Sequence, residues 1–102
     1  MIWKFITFLV RMLDPEKAHN ITLLALKYGL HPRLQKIKIK TKINNLEFAN
    51  PLGIAAGFDK NAEVIKKIHS LNFGFTEVGT ITPISQYGNQ KPRVFRLEKI
   101  KP

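Results

Sequence analysis

A short apolar run followed by a helical segment and a second strand constrains this chain more than any other feature. Leu52-Gly53-Ile54-Ala55-Ala56 is an uninterrupted run of the kind buried on both faces of a parallel sheet, and Gly57 follows where the chain must turn tightly. A helix is expected from about Ala62 to His69, capped by Asp59 or Asn61, with Val64, Ile65 and Ile68 on its inward face. Asn72 and Gly74 mark a turn, and Phe75-Thr76-Glu77-Val78-Gly79-Thr80 reads as a second strand. Strand, helix and strand joined by short loops make a βα repeat, right-handed by default, whose ligands belong at the carboxyl ends of the strands. Those ends carry Gly57 to Lys60 and Gly79 to Thr82.

Upstream the pattern changes. Lys36 to Ile43 alternates with a period of two, Ile37, Ile39, Thr41 and Ile43 on one face and Lys36, Lys38, Lys40 and Lys42 on the other, which predicts a strand. Asn44-Asn45 can supply the positive φ angles of a tight turn, and Leu46-Glu47-Phe48 returns as its hairpin partner. The formal charge is +10, and six basic residues with no acidic one fall between Lys27 and Lys42. Such a surplus attracts anionic partners such as phosphate, nucleic acid or acidic lipid. The simpler reading of the lysine row is a solvated face that also discourages edge-to-edge aggregation.

The first 28 residues read as two helices. Met1 to Leu13 is apolar except for Lys4, Thr7 and Arg11, which fall on one helical stripe. At 13 residues it falls short of the roughly 20 needed to span a bilayer, so it either packs on a core or lies in a membrane headgroup region. Asp14-Pro15-Glu16 starts a second helix that should run to about Tyr28, with Gly29 ending it in the left-handed conformation and Pro32 preventing its resumption. The sharp Leu13-Asp14 corner makes the pair a helical elbow. From Pro83 to Pro102 the chain reads as loop.

Chemistry is sparse on this reading. There is no cysteine, so thiolate metal sites, disulfides and cysteine nucleophiles are excluded. His19, His31 and His69 are scattered without metal-ligand spacing, and no metal site is expected. No paired carboxylates, Walker loop or dinucleotide glycine motif occurs. Gly57 and Lys60 at one strand end and Thr80 at the next could receive a flat or anionic ligand. On residue chemistry alone, turn glycines, a cap and a solvated amine explain them as well.

The stretch Asn50-Pro51-Leu52-Gly53-Ile54-Ala55-Ala56-Gly57-Phe58-Asp59-Lys60 strongly resembles dihydroorotate dehydrogenase. So do Phe73-Gly74-Phe75-Thr76-Glu77-Val78-Gly79-Thr80-Ile81-Thr82-Pro83, Gly88-Asn89 and Lys91-Pro92-Arg93-Val94-Phe95-Arg96-Leu97. Leu13-Asp14-Pro15-Glu16-Lys17-Ala18-His19 places the resemblance in the quinone-linked, membrane-associated class 2 branch. The resemblance implies an α/β fold: an N-terminal helical elbow, a β-hairpin, and the first two strands of an incomplete (β/α)8 TIM barrel. It divides the chain into a membrane-associated helical region, 1–34, and the hairpin with the start of an FMN-binding barrel, 35–102.

The implied activity is oxidation of dihydroorotate to orotate through FMN, with a ubiquinone-type quinone as acceptor, in de novo pyrimidine synthesis. Residue by residue, Ala56, Gly57, Phe58, Asp59 and Lys60 match the segment that touches FMN, Lys60 also matches a substrate contact, and Thr80 matches a flavin contact. His19 and Arg96, with Arg93 close by, match positions lining an apolar tunnel near the quinone head. Localisation is expected to be peripheral, at the inner face of the cell membrane in a bacterium, with no nucleic acid as partner.

A (β/α)8 barrel takes about 250 residues, with its phosphate site usually after the seventh and eighth strands. The family's serine base, asparagine-rich substrate segments and FMN phosphate site therefore lie outside these 102 residues. The tail Glu98-Lys99-Ile100-Lys101-Pro102 departs from the family pattern, which suggests an early stop, a frameshift remnant or a split gene. The isolated chain is expected to be poorly soluble, to hold no FMN and to have no turnover. The alternative is a non-catalytic basic module for membrane surfaces or nucleic acid.

Overall fold

The computed structural model describes residues 1–32 and 34–97. The two α-helices of the elbow are α1 (Ile2–Met12) and α2 (Pro15–Lys27). Asp14 starts α2 as its chemistry predicts, its Oδ2 accepting the N–H groups of Glu16 at 3.2 Å and Lys17 at 3.3 Å. At the other end Gly29 has φ +75°, and Leu30 N–H reaches back to the Ala25 carbonyl at 2.8 Å, which closes the helix. No residue of α1 is buried, and Trp3, Phe5 and Phe8 are among its exposed side chains.

The hairpin is shorter than its alternation implies. Strands β1 (Thr41–Ile43) and β2 (Leu46–Phe48) pair antiparallel with Thr41 opposite Phe48 and Ile43 opposite Leu46. The return strand sets this limit. After Phe48 the chain turns at Ala49–Pro51, so residues 36–40 have no β2 partner opposite them, and Ile37, Ile39 and Ile43 are exposed rather than inward. Of the two turn residues, Asn44 takes the positive φ, at 53°, and Asn45 does not.

The βα repeat is present and parallel. Strand β3 (Gly53–Ile54) pairs with β4 (Phe75–Thr76), and α3 (Ile65–Ser70) connects them. Backbone bonds from Gly74 N–H to Leu52 O at 2.8 Å and from Glu77 N–H to Ile54 O at 2.9 Å extend the pairing at both ends. The helix begins later than expected because Ala62 sits at φ 58°, outside the right-handed helical region. The inward face is correspondingly narrower. Val64 and Ile68 are buried, but Ile65 is 43% exposed and not a core residue.

The chain divides into two compact units, one formed by Met1–Thr22 with the stretch beginning at Thr82, the other by Leu23–Ile81. The core of the second unit is Leu26, Val64 and Ile68, with Leu23, Ile54, Phe58, Leu71 and Phe73 packed against it. An edge-to-face contact between Phe48 and Phe75, centroids 5.5 Å apart, ties the hairpin to β4. In the first unit Ala18 is buried, and the loop from Thr82 to Leu97 contains no helix or strand. Glu98 to Pro102, and Arg33 of the basic run, lie outside the described residues.

One buried amide holds the start of the parallel unit. Asn50, 2% exposed, donates from Nδ2 to the Asn72 carbonyl at 2.7 Å and accepts Leu52 N–H on Oδ1 at 3.0 Å. Asn72 in turn donates to the Leu34 carbonyl at 2.6 Å. Gly74 lies so close to the Asn50 carbonyl that any β-carbon there would overlap it. Asn50→Ala removes two hydrogen bonds and strands a carbonyl, so it should destabilise the second unit by about 2–4 kcal/mol. Urea unfolding of the variant against Asn45→Ala, an exposed change expected to cost well under about 1 kcal/mol, checks this.

Candidate functional site

The carboxyl end of β3 leads into a turn built on a buried carboxylate. Asp59 is 1% exposed, and its two oxygens accept Glu63 N–H at 2.8 Å and Val64 N–H at 2.9 Å. Glu63 and Val64 immediately precede α3, whose N-cap is Val64 with no side-chain cap bond, so Asp59 braces the turn leading into the helix and, contrary to the sequence expectation, does not cap it. Asn61, the other candidate, instead donates from its side chain to Glu63 at 3.5 Å. With both oxygens engaged, Asp59 shapes the turn from beneath it. Phe58 packs on the core cluster, and Ala56 is half-buried.

What faces solvent is a short rim. Gly57 lies in the turn with no heavy atom within 4 Å of where its β-carbon would sit, leaving open space against the backbone, and it does not adopt positive φ. Lys60 and Thr80 are both exposed. Their loops are joined directly: Gly79 N–H donates to the Lys60 carbonyl at 3.0 Å. Thr80 is the next residue along. The backbone of one strand end is thus fastened to that of the other, so the exposed Lys60, the exposed Thr80 and the uncovered backbone at Gly57 lie on joined loops that form one backbone edge. A flat group carrying anionic or hydrogen-bonding atoms fits such an edge, with Gly57 permitting close approach and Lys60 supplying positive charge.

A cavity of about 440 Å³ lies at the opposite ends of the same strands, lined by Lys36, Lys38 and Lys40 together with Asn50, Asn72 and Phe73. Sequence alternation placed the lysines on one face, but nothing in it signalled that Asn50 and Asn72 would bring that segment against the start of β4. Among the described residues no group of three or more His, Asp or Glu side chains could hold a metal ion. Nor is any helix there long and apolar enough to cross a membrane.

The three remaining site residues lie in the first unit. His19 is half-buried on α2. Arg96 donates through Nη1 to the Arg11 carbonyl, 2.5 Å away in the last turn of α1, where carbonyls lack helical partners and attract positive charge. The Arg93 guanidinium is turned onto its own loop, donating to Asn89 O at 2.6 Å and Tyr87 O at 2.9 Å.

The contrast between two glycines tests the rim. A β-carbon at position 79 would lie 2.6 Å from the Lys60 carbonyl oxygen, whereas one at 57 meets nothing. Gly79→Ala should therefore separate the two strand ends and destabilise the second unit by about 2 kcal/mol or more, while Gly57→Ala should unfold within about 0.5 kcal/mol of the parent. Parallel denaturation curves read both.

A profile of the family described as "Dihydroorotate dehydrogenase" matches residues 38–100. Two curated relatives named "Dihydroorotate dehydrogenase (quinone)" are similar over most of the chain. That of Bartonella tribocorum is 53% identical over 91 residues, 86% of this chain and 25% of its own length. That of Parvibaculum lavamentivorans is 50% identical over 92 residues, 87% of this chain and 26% of its own. The crystal structure of DHODH from Eimeria tenella in complex with ferulenol superposes with a TM-score of 0.74 at 45% identity, covering 81% of this chain and 23% of that one. The chain thus spans about a quarter of the length of the curated relatives it matches. Its elbow, hairpin and parallel β3–α3–β4 unit are the partial α/β fold expected of the first part of a TIM barrel, and the chain belongs to the dihydroorotate dehydrogenase family.

Proposed function

We propose that this chain provides the quinone entrance, the hairpin cover and the first flavin-binding wall of a quinone-linked dihydroorotate dehydrogenase. The single observation that carries this reading is the Gly79–Lys60 backbone bond, which joins the loops of Lys60 and Thr80 beyond the carboxyl ends of two parallel strands. FMN, when bound, supplies a two-electron acceptor for dihydroorotate and a donor for quinone. The chain's residues bind and orient. Gly57 and the Thr80 hydroxyl would hold the flavin, and the Lys60 ammonium would attract the anionic substrate. Ala56, Phe58 and Asp59 keep the turn in shape from the core side.

In the first unit, His19 and Arg96 take the polar head of a ubiquinone-type quinone, and Arg93 organises the loop between them. The chain divides functionally at about residue 34, with 1–34 as membrane-associated helices and 35–102 as the start of the barrel. The apolar faces of β1 and β4, exposed here, are those that the remaining three-quarters of the relatives' length would cover. The resemblance gives the C5 proton to a serine base that has no counterpart among the rim residues.

The test is a chimera in which this chain replaces the matching segment of the Bartonella tribocorum relative. The expected result is a yellow protein, active in dihydroorotate-dependent quinone reduction, whose Lys60→Ala variant turns over about 10²-fold more slowly. A chimera that holds FMN and is equally active with Lys60→Ala refutes the role of Lys60. The 102-residue chain alone should show neither flavin absorbance nor turnover.

The membrane assignment rests on α1, which has no buried residue and presents Ile2, Trp3, Phe5, Phe8 and Leu9 beside Lys4 and Arg11. Vesicle flotation should recover the chain on phosphatidylglycerol-containing vesicles. Replacing Phe5 and Phe8 by Ser should reduce the bound fraction about tenfold or more, each aromatic contributing roughly 1.5–3 kcal/mol when buried.

A further inference from the structure

The loop carrying Arg93 and Arg96 is held at three points, and the middle one involves Glu16, which is not among the expected site residues. The Arg93 guanidinium closes the turn at Tyr87–Asn89 through two carbonyls. Three residues on, Arg96 reaches the carbonyl of Arg11 at the end of α1. Between them, Arg93 N–H donates to Oε2 of Glu16 at 2.7 Å, across 77 residues of sequence. Glu16 stands in the first turn of α2, where Asp14 already holds its own backbone N–H, so the carboxylate is presented from a fixed base.

We propose that Glu16 is a positioning residue. By accepting the Arg93 amide it fixes where the 93–97 segment runs along the elbow, and so delivers the Arg96 guanidinium to the open end of α1. The two arginines then divide their work: Arg93 shapes its own loop, and Arg96 sets its cation at the carboxyl end of α1. The consequence for quinone affinity rests on the elbow being the quinone entrance.

The geometry supports a specific link rather than general adhesion. A carboxylate accepting an amide N–H makes a charge-assisted bond, shorter and stronger than a neutral one. The Arg93 guanidinium holds its own loop in shape through Asn89 and Tyr87, so the amide bond to Glu16 ties a preformed loop to the start of α2. With Glu16 removed, the segment loses its bond to α2 and keeps the Arg96 bond to α1, and a single long side chain fixes position poorly.

The experiment uses the whole chain, ¹⁵N-labelled, in dodecyl maltoside micelles, as parent, Glu16→Ala and Glu16→Gln. Amide exchange at Arg93 should accelerate about tenfold or more in Glu16→Ala, and the Arg96 side-chain N–H signals should broaden or average. Exchange at Ile68, in the other unit, should not change. Glu16→Gln keeps an acceptor oxygen and should stay within about threefold of the parent. Unchanged exchange at Arg93 in Glu16→Ala overturns the proposal, and so does a parallel rise at Ile68, which would make the effect one of overall stability.

Titration with decylubiquinone, read by quenching of Trp3 fluorescence, separates the two readings. Quenching in the parent that weakens about tenfold in Glu16→Ala supports both. Quenching equal in parent and Glu16→Ala overturns the positioning role. Absence of quenching in the parent overturns the elbow as quinone entrance, and the Arg93 and Arg96 signals then decide the clamp alone.

Discussion

A carboxylate withdrawn from water shapes the candidate flavin edge. Asp59 is buried, and burying a charge is costly unless hydrogen bonds replace its hydration. Here the N–H groups of Glu63 and Val64, in the turn just before α3, do so. Those same donors would otherwise be unsatisfied, so one interaction answers two demands. Its geometric result is the tight turn that exposes Gly57 and Lys60, and the Gly79 bond to Lys60 then brings the second strand end alongside. Among the described residues no buried side-chain nitrogen or oxygen lacks a partner, which fits a segment whose few interior polar groups are all structural.

Much of this was legible. Asp14 before Pro15, and Gly29 after the last helical residue, announce α2 through local chemistry that needs no tertiary information. The parallel unit was legible from the uninterrupted apolar run at Leu52 to Ala56, and the rim from glycine and lysine placed at the ends of strands. These features depend on near neighbours in sequence.

The features that were not legible depend on distant ones. The strand expected over Lys36 to Ile43 has the right alternation, but pairing requires a partner, and β2 gives way at Ala49. Ile65 fits helical spacing, yet the helix starts after Ala62 in a left-handed conformation and presents only Val64 and Ile68 to the core. Asn50 looks like loop punctuation until Asn72 is brought to it from 22 residues away. Arg93 and Arg96 appear equivalent as letters, and only the carbonyls around each show that one is committed to its own turn.

The span between Glu16 and Arg93 has a consequence for synthesis of the chain. At a ribosomal rate of 5–20 residues per second, Arg93 is made about 4–15 s after Glu16. Throughout that delay α1 and the first turns of α2 are outside or leaving the exit tunnel with no loop to receive them. An amphipathic helix left waiting in this way has time to meet a bilayer, or a chaperone, before its intramolecular partner exists. The order of translation therefore leaves α1 and the start of α2 waiting before the elbow can close onto its loop.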